Sequence, residues 1–156
     1  MGPAALTLGL AVAMTQVMIQ SSANPEGMLG MMEILSAFIA SIAGWWLPAI
    51  SPWIGVLGSF MTGSTTSSNI LFSVMQHDAA AASGISRSMT VALQNIGSGI
   101  GNMLSILNIV AICSVVGLHG EEGEILHKAL LPALIFGITA SILGLIMIYV
   151  FGEGVY

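Results

Sequence analysis

The chain has 156 residues, of which 56% are hydrophobic and only 6% charged, and its formal net charge is -5. A soluble domain carries about 25% charged residues, so no water-facing surface can be assembled from this set. Together with a mean hydropathy of +0.98, the composition selects an integral membrane protein and, in the absence of any basic patch, excludes a nucleic-acid binder.

Ala4 to Ile19 is the first candidate span, slightly short against the roughly 20 apolar residues a bilayer core requires. It has no basic leading region, unlike a cleavable signal peptide. The loop QSSANPEG follows, broken by Pro25 and Gly27. Leu29 to Leu47 is a second span. Trp45 and Trp46 at its end suit a membrane interface, and Glu33 falls in its first turns. Pro48 and Pro52 then bracket a predicted turn. Trp53 to Met61 is apolar but covers only about half a bilayer at 1.5 Å per residue. Next comes TGSTTSSN, Thr62 to Asn69, small and polar throughout. Ile70 to Ala82 is a second half-length arm, closed by SGISRS with Arg87.

Two half-length arms joined by a polar tip read as a re-entrant hairpin at about residues 53–82. The alternative is one long span from Trp53 to Met75, which would set the hydroxyl run Ser64 to Ser68 in lipid, a costly arrangement. Met89 to Ile96 resumes as helix, GSGIGN (Gly97 to Asn102) interrupts it, and Met103 to Leu118 continues. Closely spaced glycines make a poor helix interior, so residues 88–118 read as a broken span. HGEEGEILHK is a polar loop running into a short surface helix. The last span covers residues 129–151, with Pro132 tolerated near its start. The expected fold class is therefore all-α integral membrane, a single membrane domain over residues 1–156.

Inside a bilayer every backbone N–H and C=O needs a partner, so a break at depth survives only within protein or beside a cavity. Transporters use such breaks as binding sites. The N-terminus of a half-helix presents unpaired N–H groups and a positive dipole end, which suit an anion. TGSTTSSN fits this role: Thr66, Ser67 or Ser68 is placed to cap the second arm. Ser64, Thr65 and Thr66 offer hydroxyls for a carboxylate, and Asn69 offers a donor and an acceptor. The second break supplies Ser98, Asn102, Ser105 and Asn108. The last three share one helical face if the helix has resumed.

Structural readings stand beside these. Serine and threonine in membrane helices often bond their own backbone or a neighbouring helix. GSGIG also fits a close helix-packing seam. His77, Asp78 and Glu33 are candidates for proton coupling, or mark the interface. Glu121, Glu122, Glu124, His127 and Lys128 form a solvated loop face. Cys113, in an apolar run, is a buried inert thiol. No nucleophile–base pair or metal-spaced cluster is present, which points away from an enzyme and from a cofactor.

The segment SPWIGVLGSFMTGSTTSSNILFSVMQ, Ser51 to Gln76, closely resembles the hairpin of the L-lactate permease family. The family pattern is met at Pro52, Trp53, Gly55, Leu57, Gly58, Phe60, Thr62, Gly63, Ser64, Thr66, Ser67, Ser68, Asn69, Leu71 and Phe72. The resemblance runs from near Pro48 to the end of the chain. It implies a plasma-membrane, multi-pass secondary transporter coupling L-lactate, glycolate or a related small monocarboxylate to protons. It also implies two inverted repeats, each with a re-entrant hairpin and a broken helix. The implied substrate positions are Ser64, Thr65, Thr66, Ser67, Ser68 and Asn69. GNMLSIL, Gly101 to Leu107, departs from the family, with Asn102 standing where a lysine is expected. Family members are much longer, so the expectation is a C-terminal part of a permease, partnered by a missing N-terminal half or by a self-associated copy. A non-transporting interaction subunit or inactive remnant is the alternative.

Overall fold

The computed structural model describes residues 13, 16–17, 20–23, 27–118 and 120–150, apart from the side chains of residues 22, 32 and 33. Most of the first candidate span, Ala4 to Ile19, lies outside the described residues. So does the end of the last one, at Phe151. Among the described residues the regular structure is helical: α1 (Met31–Ala43), α2 (Leu47–Thr62), α3 (Thr65–Ala82), α4 (Arg87–Leu104), α5 (Ile106–Val116) and α6 (Glu122–Tyr149), with 3₁₀ turns at Gln20–Ser22 and Gly44–Trp46. Two runs, Ile34–Thr62 and Glu122–Tyr149, are long and apolar enough to cross a membrane. The pair α4–α5, bent by 42°, counts as a third if taken as one span.

Four expectations are corrected. The proline-bracketed turn does not exist, because α2 runs straight through Pro48 and Pro52. Pro48 sits in the first turn, where an N–H has no intrahelical partner anyway. The arms are not half-length: α2 has 16 residues and α3 has 18. Most of the polar run is the first turns of α3, and only Gly63 and Ser64 lie outside the helices. The break in the third span is not at the glycines, which are helical, but at Ser105. Finally, the surface helix is not separate, since Glu122 to Lys128 form the first turns of the 28-residue α6.

The glycines stay helical because they are a packing seam. A Cβ on Gly97 would run into the backbone of Pro52, and one on Gly101 into that of Val56. One on Gly55 would strike the carbonyl of Gln94. Gly97 and Gly101 are spaced by four, the small-xxx-small pattern that lets two helix backbones touch in a membrane. This contact makes α4 the central helix, packed on α2, α3 and α6. On the other side of α2, Trp53 donates from Nε1 to Ser141 Oγ at 3.1 Å, and Ser141 donates to Ala49 O at 2.7 Å. Gly137 leaves the room that the Trp53 ring fills.

Apolar packing closes both ends of the bundle. Ala43, Leu47, Ala79, Ala80, Ile85, Leu93 and Ile148 cluster at one end. There Tyr149 donates its hydroxyl to Trp45 O, and Trp45 and Trp46 lie exposed with ring centroids 4.9 Å apart. Val56, Leu104 and Ala133 cluster towards the other end. The α2–α3 hairpin thus rises from the aromatic end, and its tip stands about 24 Å away along α2.

Candidate functional site

The tip is built by three consecutive residues, Thr62 to Ser64. Thr62 Oγ1 donates to Gly58 O at 2.8 Å, closing the end of α2, and lies 3.3 Å from the Ser64 N–H. Gly63 takes the left-handed conformation, φ 67°, that reverses the chain, and a side chain there would be strained. Ser64 then caps α3: its Oγ accepts from Ser67 N at 3.2 Å. The cap is therefore Ser64, not Thr66, Ser67 or Ser68. The N–H groups of Thr65 and Thr66, in the first turn of α3, have no intrahelical acceptor.

The second break lies directly against this tip. A Cβ on Gly63 would stand 3.1 Å from Ser105 Oγ. Asn108 Nδ2 donates across the junction to Gly63 O at 3.1 Å, and also to Asn102 Oδ1 at 2.9 Å and Asn102 O at 3.3 Å. Ser105 is extended and begins α5, yet its hydroxyl caps nothing. That Oγ is fully buried and has no partner. Two helix N-termini, those of α3 and α5, therefore meet at one place beside an orphaned hydroxyl. Their dipoles give the junction positive potential. Among the described residues neither basic side chain contributes: Lys128 pairs with Glu124 at 2.6 Å on the surface, and Arg87 starts α4, whose far end reaches the junction.

The sequence-derived candidates separate into three groups. Ser64, Thr65, Thr66, Ser67, Asn69, Asn102, Ser105 and Asn108 gather at the junction. Ser68 and Ser98 turn into the bundle. Ser98 Oγ donates to Asn95 O at 2.8 Å, in the seam beside Gly55. Ser68 Oγ donates to Gly55 O at 3.1 Å and accepts from Gln94 Nε2 at 3.2 Å. Gln94 Oε1 accepts in turn from Gln76 Nε2, which also donates to Ser51 O at 3.2 Å. This buried clamp ties α3 and α4 to two carbonyls of α2, one turn apart. The proton-coupling candidates lie elsewhere. His77 Nδ1 and Asp78 Oδ1 are 3.0 Å apart on the exposed face of α3, about 18 Å from its start. Glu33 is in the first turn of α1, and its side chain lies outside the described residues.

Sequence reasoning missed Thr62 as a tip-shaping residue, and it missed Gln76, Gln94 and Asn95 altogether. A signal existed for the amides. Polar amides within apolar helices are costly unless paired, and Thr90, Gln94 and Ser98 repeat every four residues, on one buried face of α4.

The described residues thus form a helical bundle with a reversed hairpin and a bent helix, in which two helical runs are long and apolar enough to cross a membrane. The family model described as L-lactate permease matches residues 1–151, and the chain belongs to the L-lactate permease family. The match therefore also takes in the N-terminal region, before Pro48. The chain is 38% identical over 121 residues to a putative L-lactate permease of Haemophilus influenzae, covering 78% of this chain and 23% of that protein. It is 36% identical over 122 residues to a glycolate permease of Escherichia coli, covering 78% and 22%. An L-lactate permease of Bacillus subtilis is 32% identical over 122 residues, with the same shares. The matched segment thus spans under a quarter of each relative. No solved structure matches the chain.

Proposed function

We propose that this chain forms a substrate-binding unit of a plasma-membrane transporter for small 2-hydroxy monocarboxylates such as lactate or glycolate. The observation that carries the proposal is the convergence of the α3 and α5 N-termini on the buried, unpartnered hydroxyl of Ser105. A carboxylate there accepts from the free N–H groups of Thr65 and Thr66, from their hydroxyls and from Ser105 Oγ. Neutral donors held in protein replace the water that a carboxylate gives up on leaving solution. A dipole-based site also accounts for Asn102 in place of a lysine, because the anion does not need a cation to pair with. The names of the relatives, lactate and glycolate permeases, support this substrate class.

In this reading α2–α3 is a re-entrant hairpin and α4–α5 a broken span. Together they are one repeat of an inverted-repeat transporter, completed by a second repeat from another segment or another copy. Coupling is to protons. His77 and Asp78, distant from the tip, serve the proton path and not the carboxylate. Rocking of this rigid bundle against the second repeat exposes the junction alternately to the two sides.

The test is radiolabelled lactate uptake by a host without its own lactate uptake, with the chain expressed from its native gene neighbourhood. Thr66→Ala and Ser105→Ala are each expected to raise the half-saturation concentration about tenfold at equal protein abundance. Unchanged half-saturation and maximal rate in both variants would sink the site.

A further inference from the structure

Asn69 Nδ2 donates to Asn95 Oδ1 at 2.7 Å, joining the first turns of α3 to the middle of α4. Two primary amides joined by a single bond leave a defined remainder. On one side is Asn69 Oδ1, a buried acceptor with no partner. On the other is Asn95 Nδ2, whose two N–H groups make no other bond among the described residues, on an exposed side chain. Reversing both amides would exchange the roles of the two residues and leave the same set of one acceptor and free donors.

The surroundings show where this remainder points. Asn69 lies one helical turn from Thr65 and Thr66, on the same side of α3. Asn95, Gly99 and Asn102 follow each other at spacings of four and three along one face of α4. Asn102 is bonded to Asn108 at the junction. Gly99 is exposed, and a Cβ built on it meets nothing within 4 Å. Unlike Gly97 and Gly101, it belongs to no seam. It is an open position between the amide pair and the junction.

Resting on the transport reading above, we infer that the Asn69–Asn95 pair recognises the 2-hydroxyl of the substrate and so separates 2-hydroxy acids from plain monocarboxylates. A carboxylate at neutral pH only accepts, so it can use the helix N-termini but cannot satisfy Asn69 Oδ1. A hydroxyl both donates and accepts. It satisfies Asn69 Oδ1 and takes a bond from Asn95 Nδ2 together. One helical turn, about 5 Å, separates the amide pair from the carboxylate donors. That fits a molecule bearing both groups on neighbouring carbons, with a hydrogen bond at each end. An analogue without the hydroxyl leaves the buried acceptor unpaired, and sites built to bond a hydroxyl reject such analogues strongly.

The experiment is uptake of labelled lactate competed by unlabelled propionate, which has the same carbon skeleton without the hydroxyl. The protein is expressed from its native gene neighbourhood. Wild type is expected to prefer lactate. Asn95→Leu removes the donor without placing a charge beside the carboxylate. Asn69→Leu removes the acceptor. Each is expected to raise the lactate half-saturation about tenfold while moving propionate inhibition less than about twofold. Gly99→Leu adds bulk at a position where a Cβ meets nothing within 4 Å and is expected to weaken both acids alike. Equal weakening of lactate and propionate in the Asn95 and Asn69 variants overturns the inference and makes the pair a helix clasp. Wild type that takes lactate and propionate equally well overturns it too, while the monocarboxylate reading stands. Wild type that takes up neither acid removes that reading and the inference together.

Discussion

The hairpin carries two polar clusters, and only one of them is open. The clamp of Ser51, Ser68, Gln76 and Gln94 is fully buried. Its spare atoms, Ser51 Oγ and Gln76 Oε1, are sealed among helices. The junction of Gly63, Ser64, Thr66, Asn69, Ser105 and Asn108 has the same chemistry, yet Thr66 is exposed and Asn69, Ser64 and Asn108 are only partly covered. Polarity within a membrane bundle therefore does not identify a site by itself. What sets the junction apart is that its unpartnered atoms, Ser105 Oγ and Asn69 Oδ1, lie beside exposed or partly covered polar residues. The clamp holds α2, α3 and α4 as one body, and the junction rides on it.

The comparison can be broken at three points. The largest effect is expected at the seam on which both clusters depend. Gly97→Ala drives a Cβ into the Pro52 backbone, and since backbone cannot rotate away, the cost is about 3 kcal/mol or more. The purified protein in detergent should show a sharply lowered melting midpoint or no folded fraction. Gly99→Ala, which meets nothing, should melt at or above the wild-type temperature, because alanine favours helix by about 1 kcal/mol over glycine. Equal melting of the two variants would mean that α2 and α4 are not in backbone contact.

A smaller effect is expected in the clamp. Gln94→Leu leaves Gln76 Nε2 with one bond fewer and deprives Ser68 of a donor. A loss of about 1–2 kcal/mol is expected, visible as lower abundance and a lower midpoint. The half-saturation for lactate should stay unchanged once uptake is normalised to protein. A tenfold change in affinity would join clamp and junction into one functional unit.

The smallest stability effect is expected at the junction itself. Asn108→Ala releases the tip from the break by removing bonds to Gly63 O and Asn102 Oδ1. Both acceptors are near the accessible side, so the stability cost should stay within about 1 kcal/mol. Lactate half-saturation should nevertheless rise severalfold, because the two helix N-termini are no longer held together. Clamp and junction variants would then show opposite signatures, stability against affinity.

The residues alone determined the membrane class, because nine charged side chains cannot clothe a soluble surface. They also determined that two polar interruptions fall between apolar segments, and the string TGSTTSSN marked the chain reversal and the family. These features are local: composition and runs of side chains are readable one window at a time. What the interruptions became was decided in three dimensions. GSGIGN reads as a break from its glycines, but contact with the α2 backbone at Pro52 and Val56 repays their poor helix propensity. The helix therefore continues to Ser105. TGSTTSSN reads as a loop, but the Ser64 cap pulls its later residues into α3. The meeting of Gly63 with Asn108, 45 residues apart, and of Asn69 with Asn95, 26 apart, follows from how α2, α3 and α4 pack. No window of the sequence contains those contacts, so the amide pair emerges only when the helices are brought together.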